Sequence, residues 1–137
     1  MKKERSEAQS IVFAIDDDAS LRQALQSLLR SVGLPIQTFA STAEFLSAKL
    51  PDAVSCLVLD VRLPGVSGLD FQSELATAKI DIPIIFITGD GDIPMALRAM
   101  KAGATEFLTK PFDEAAMLDA VQIALEKDRT RREPRLP

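Results

Sequence analysis

The sequence contains no histidine, tryptophan or tyrosine and only one cysteine. Without histidine the chain has no Ser-His or Cys-His dyad, no His-bearing zinc site and no phosphohistidine of its own. Cys56 cannot form an internal disulfide, and its place in the apolar run Cys56-Leu57-Val58-Leu59 marks it as a buried, inert thiol. No apolar run approaches the roughly 18 residues of a membrane span, and the charged stretch Met1 to Ser10 lacks the apolar segment of a secretory signal. These absences predict a cytoplasmic protein with no membrane partner. Any chemistry is left to Asp, Thr and Lys.

What is present fits one ordinary globular domain: 137 residues, 47% hydrophobic and 26% charged. The net charge is −4, and Glu126 to Pro137 holds five basic residues against three acidic ones, so the remainder is more acidic still. The globular part is therefore no candidate for binding nucleic acid. Five apolar or β-rich segments (Ile11 to Ile15, Ile36 to Phe39, Cys56 to Leu59, Ile82 to Ile87, Thr105 to Leu108) alternate with five stretches of helical pattern. That alternation predicts an α/β fold, a doubly wound parallel sheet between two layers of helices.

Helix ends are readable in the same way. Leu21, Leu25, Leu28 and Val32 form one stripe, with Asp18 placed to cap it and Gly33 to stop it. Ser41 with Glu44, Ser67 with Asp70, Asp92 with Pro94, and Asp113 open the other four helices. The division predicted is an extension over 1–10, a domain over 11–127 and a charged tail or linker over 128–137, where nothing in the sequence offers a core residue.

Asp16, Asp17 and Asp18 follow the first strand, and Asp60 follows the third. In open α/β sheets such strand ends converge on a crevice where the strand order reverses. Carboxylates gathered there repel one another and are stable only with a cation or with protons. A hard divalent ion such as Mg²⁺ satisfies them with oxygen ligands and keeps positions open for a phosphoryl oxygen. For Asp16 and Asp17 alone, ordinary loop or capping roles remain an equal alternative. Thr88, ending the fourth strand, and Lys110, ending the fifth, add a hydroxyl and an ammonium at the same edge. A phosphoryl group on Asp60 would have its charge balanced by metal and Lys110 and one oxygen held by Thr88.

Asp16-Asp17, Asp60, Thr88 and Lys110-Pro111 resemble, in order and spacing, the signature of response-regulator receiver domains of the CheY-like kind, over Ile11 to about Lys127. Leu63 to Gly68 and Met100 to Ala104 resemble that family's loop after the phosphorylated Asp and its turn before the fifth strand. The resemblance implies sheet order 2-1-3-4-5. It implies direct Mg²⁺ ligation by Asp17, Asp60 and the backbone carbonyl of Arg62, with Asp16 acting through water and Mn²⁺ as a substitute ion. It implies that Asp60 takes the phosphoryl group from a sensor histidine kinase docked near the first helix, and that the domain assists its own phosphorylation and dephosphorylation without being an enzyme with turnover. A cis Lys110-Pro111 bond, a switch pair Thr88 and Phe107, and tuning of dephosphorylation by Arg62 and Asp90 belong to the same expectation. Phosphorylation-linked homodimers would form on the fourth helix, fifth strand and fifth helix, with Ile93, Met95, Leu97 and Ala104 to Glu106 as candidates.

Thr88 to Ala96 looks most like the branch that includes the FixJ-type nitrogen-fixation regulators, whose members usually continue into a helix-turn-helix DNA-binding domain. Whether this chain is part of such a transcription regulator or a stand-alone receiver stays open. A haloacid-dehalogenase-type phosphohydrolase would want a second Asp two residues after the nucleophile, where this chain has Arg62. A pseudo-receiver acting only as a binding platform would not need the full acceptor set. A flavodoxin-like cofactor binder would want Trp or Tyr beside the flavin.

Overall fold

Strand β1, Ile11–Ile15, has no polar residue, and its side chains divide cleanly between two cores. In the computed structural model, which describes residues 10–63, 65–89 and 92–133, Val12 and Ala14 face one side and Phe13 and Ile15 the other. The same alternation runs through β3, Ser55–Asp60, and β4, Ile84–Thr88: Val58, Ile85 and Ile87 join the first core, and Leu57, Leu59, Ile84 and Phe86 the second. A strand covered on both faces has no polar face to show, which is why these segments read as continuous apolar runs.

With β2, Ile36–Phe39, and β5, Glu106–Thr109, the sheet is parallel throughout in the order β2-β1-β3-β4-β5. Helices α1, Ala19–Ser31, and α5, Glu114–Arg132, cover the first face through Leu25, Leu28, Leu29, Met117, Val121 and Leu125. Helices α2, Thr42–Ser47, α3, Gly68–Thr77, and α4, Ile93–Lys101, cover the second. There Phe13, Phe39, Phe45 and Phe71 meet mostly edge to face, with Phe45 and Phe71 centroids 6.0 Å apart. Burying each such ring contributes about 1.5–3 kcal/mol.

Four of the five expected caps form; Asp92 holds the fifth cap position without a side-chain capping bond among the described residues. Asp18 accepts from the Ser20 N–H at 2.9 Å, Ser67 from Asp70 at 3.0 Å and Asp113 from Ala116 at 2.9 Å. Ser41 accepts from Glu44 at 3.1 Å, and Glu44 reaches back to the Ala40 N–H at 2.9 Å, one residue earlier than a standard capping box. Gly33 ends α1 with φ +79, a conformation glycine adopts without strain.

Three expectations need correction. β4 begins at Ile84 rather than Ile82, because Pro83 has no N–H to contribute and pairs only through its carbonyl, which accepts from Leu57 at 2.9 Å. A small hairpin, Arg62–Leu63 paired with Val66–Ser67, follows β3 where a plain loop was expected. Most consequential, α5 does not stop at Lys127 but continues to Arg132. Asp128 lies seven residues after Val121 on the inward stripe and is fully buried. Its Oδ2 accepts from the Ser55 N–H and from Arg132 Nε, both at 2.8 Å, and its Oδ1 from Arg131 Nε at 2.9 Å. Arg132 also reaches Asp52 at 2.9 Å. The charged stretch thus supplies an internal ion cluster that fastens α5 to the start of β3. Among the described residues no helix is long and apolar enough to cross a membrane.

Candidate functional site

Sheet register alone brings the site together. Ile15 is paired with Leu59, so Asp16 and Asp60 sit side by side one residue further on; Asp60 is paired with Ile87, next to Thr88. Thr88 is paired with Thr109, and Lys110 follows. Four strands therefore deliver Asp16, Asp60, Thr88 and Lys110 to one edge; Thr88 ends its strand as expected, and Asp60 is the last residue of its strand rather than the first after it.

Asp16, Asp17 and Asp60 each place a carboxylate oxygen within 4.8 Å of the others. Asp16 and Asp60 are buried and Asp17 is exposed. Lys110 Nζ donates to Asp60 Oδ2 at 2.7 Å and lies 3.6 Å from Asp16 Oδ2. The Lys110–Pro111 bond is cis, as expected. Asp60 Oδ1 accepts from the Arg62 N–H at 2.9 Å, and Asp16 Oδ1 from the Asp18 N–H at 2.8 Å. Arg22 Nη1 donates to the Asp16 carbonyl at 2.6 Å, fixing the turn that carries the acidic run.

Asp16 Oδ2 is buried with no hydrogen-bond partner among the described residues. Burial raises the Asp16 carboxyl to about 6; the Asp18 N–H and Lys110 pull it down, and the charge of Asp60 pushes it up. Burial also pulls the Lys110 ammonium down, but its bond to Asp60 and the charges of Asp60 and Asp16 outweigh that and leave its pKa above the usual value. One ammonium is thus shared between two buried carboxylates, and a third carboxylate stands beside them. An orphaned buried oxygen in an all-oxygen donor set is what a hard divalent cation would satisfy, so the residues fit Mg²⁺.

The floor of the site depends on a glycine. A Cβ on Gly68 would lie 2.7 Å from the Asp60 carbonyl oxygen, 2.8 Å from the Phe86 ring and 3.0 Å from Val61 Cα, while the Gly68 N–H donates to the Val61 carbonyl at 2.7 Å. The hairpin can turn beneath Asp60 only because no side chain intervenes.

Thr88 is fully buried, and among the described residues its hydroxyl makes one long contact, 3.4 Å to the Gly89 carbonyl. Phe107 is half-buried, packed against the second core and paired with Phe86 across the sheet. The Arg62 side chain donates to Asp92, Nε to Oδ1 at 2.7 Å, a pairing the sequence reading missed by treating Asp92 only as a helix cap. Asp90 lies outside the described residues. Of the candidate dimer residues, Ile93 and Leu97 are exposed at 38% and 51%, whereas Met95 packs on the second core and Ala104 is buried within it. Between α1 and the segment after β5 runs a groove lined by Leu21, Ala24, Pro111 and Phe112.

This arrangement has relatives. Nodulation protein W of Bradyrhizobium diazoefficiens is 60% identical over 124 residues, covering 90% of this chain and 55% of that protein. The transcriptional regulatory protein FixJ of Azorhizobium caulinodans is 46% identical over 114 residues, covering 83% and 54%. The solved structure of the response regulator StyR superposes with a TM-score of 0.84 at 50% identity, covering 90% of this chain and 63% of that one. The chain thus spans about half the length of the curated relatives it matches. The family description "Response regulator receiver domain" matches residues 12–122. A family match over most of its length, with relatives 46–60% identical, shows that the chain belongs to the response regulator receiver domains of two-component systems.

Proposed function

We propose that Asp60 is the phosphoacceptor of this receiver domain. The observation that carries the reading is Lys110 Nζ at 2.7 Å from Asp60 Oδ2, with the Asp16 and Asp17 carboxylates converging on the same point. Receiver domains of two-component regulators are phosphorylated by sensor kinases. An Asp60 carboxylate oxygen attacks the phosphorus of a kinase phosphohistidine. The O–P bond forms as the P–N bond breaks, and the electron pair leaves with the imidazole, which takes a proton from solvent. Lys110 is already in place to meet the negative charge that develops on the phosphoryl oxygens. Arg62 N–H and Lys110 hold the carboxylate still by one oxygen each before transfer.

Asp16, Asp17 and Asp60 would hold Mg²⁺, or Mn²⁺ in its stead, with the carbonyl of Arg62 as a further ligand. When bound, the ion supplies charge neutralisation for the transferred group. The Thr88 hydroxyl, weakly engaged at 3.4 Å, is free to turn to a phosphoryl oxygen, and Phe107 follows into the space behind it. Phe107 has no hydroxyl, so its two positions differ by packing alone. The exposed Ile93 and Leu97 on α4 lie on the face that would respond by dimerising. The kinase fits the groove between α1 and the segment after β5. The length of the relatives supports a reading in which this receiver governs a following DNA-binding domain.

Intact mass after incubation with acetyl phosphate or phosphoramidate, with and without Mg²⁺, tests the assignment. A gain of one phosphoryl group, about 80 Da, that needs Mg²⁺ and vanishes in Asp60→Asn is the expected result. No adduct on the folded protein under any condition would make it a pseudo-receiver, and turnover of a small phosphate ester would make it a phosphohydrolase.

A further inference from the structure

Asp92 occupies the N-cap position of α4, yet its side chain makes no capping bond among the described residues. Pro94, at the second position of the helix, has no N–H to offer, so the Met95 N–H is the one a cap would take. The carboxylate instead accepts from Arg62 Nε at 2.7 Å. Asp92 is buried, and the Arg62 side chain is 69% exposed. Arg62 is also the residue whose N–H touches Asp60 Oδ1 at 2.9 Å. One residue therefore contacts the acceptor through its backbone and the first turn of α4 through its side chain.

We propose that Arg62 is a positioning residue for which two anions compete: Asp92 in the resting protein and the phosphoryl group once it is on Asp60. This rests on the phosphoacceptor reading above. A phosphoryl group carries about −1.5 to −2 charge against −1 for a carboxylate, and its oxygens suit the two-pronged guanidinium better. The guanidinium is exposed, so leaving Asp92 costs it little. Its side chain is rooted at a backbone nitrogen already in contact with Asp60, so turning back to the site needs rotation of the side chain and no movement of the sheet. When it turns, the Asp92 carboxylate is released beside the N-terminus of α4 and takes up the Met95 N–H as an ordinary cap. The exchange tells α4 that Asp60 is modified, by a route separate from Thr88 and Phe107. Asp92 sets the threshold, because every phosphoryl group must draw Arg62 away from it.

Trifluoroberyllate with Mg²⁺, which mimics a phosphoryl group on Asp60, provides the test on the 137-residue chain. Its affinity is titrated by ¹H–¹⁵N NMR for wild type, Asp92→Asn, Arg62→Ala and the double variant. Asp92→Asn is expected to tighten binding about two- to fivefold, the weight of an exposed ion pair. The gain should vanish in the Arg62→Ala background. Asp92→Ser, which can still cap α4 but does not hold the guanidinium by charge, should tighten binding too. The Arg62 Nε–H resonance should move on adduct formation in wild type. Unchanged affinity in both Asp92 variants, an equal gain without Arg62, or a stationary Nε–H signal would each overturn the exchange while the phosphoacceptor reading stood. Failure of wild type to bind trifluoroberyllate, together with no acetyl phosphate adduct on Asp60, would overturn both.

Discussion

Replacing Asp128 by alanine should destabilise the fold from the edge of the sheet opposite Asp60. The carboxylate is fully buried and accepts from the Ser55 N–H, Arg131 and Arg132. Ser55 is itself buried, and loss of its acceptor leaves an unsatisfied backbone donor, a cost of about 1–3 kcal/mol. The two guanidinium groups count for less. Their side chains are 38% and 33% exposed, so water replaces the lost bonds, and together they add about 0–1 kcal/mol. The sum is about 1–4 kcal/mol, or a fall in Tm of about 4–16 °C for a domain of this size. With no tryptophan or tyrosine to report by fluorescence, urea unfolding is best followed by far-UV circular dichroism. The midpoint should fall at constant slope. Asp128→Asn keeps an acceptor for Ser55 and should lose less than half as much. An alanine variant within about 0.5 kcal/mol of wild type, or an asparagine variant worse than alanine, would refute the account of this cluster as a fastening.

The site itself should respond to pH. Asp16 titrates near 6 in the folded protein against an ordinary value of 3.8, so the folded state holds the proton more tightly and metal-free stability falls as pH rises from about 4 to about 6. Asp16→Asn should flatten that slope and stabilise the metal-free protein at pH 7 by roughly 1–3 kcal/mol, while Mg²⁺ affinity in wild type weakens below about pH 6; a metal-free melting temperature independent of pH across this range would contradict it. Gly68→Ala puts a methyl group 2.7 Å from the Asp60 carbonyl and should cost roughly 1–3 kcal/mol in chemical denaturation while slowing adduct formation on Asp60; a neutral effect on both would mean the hairpin yields freely. Burial pushes the Cys56 thiol up to about 12, so Ellman's reagent at pH 8 should label it only on unfolding, and rapid labelling of native protein would show the first core open to solvent.

The strands were legible because they are largely apolar, with charge only at the ends of β3 and β5, and because turns and caps bracket them. Asp18, Ser41, Ser67 and Asp113 state where helices begin, and the chemistry of a cap needs only neighbours a few residues away. The acidic pair, Thr88 and Lys110 were legible for a related reason: in a parallel sheet, residues that end strands share an edge whatever their separation in sequence. Asp128 was obscured by its company. Five basic residues after Glu126 read as a solvated tail, although the seven-residue step from Val121 placed Asp128 on the buried stripe. The pairing of Arg62 with Asp92 left no trace at all, since nothing local links positions 30 residues apart. The two-residue arms of the hairpin are too short to show a period.

Strand β3 has Ser55 at one end and Asp60 at the other, with four apolar residues and about 16 Å between them. Because α5 is fastened at Ser55, its last turn lies at the end of the sheet remote from Asp60. The two ends of one strand are thus given different tasks: one gathers the carboxylates, and the other anchors the longest helix of the domain among the described residues.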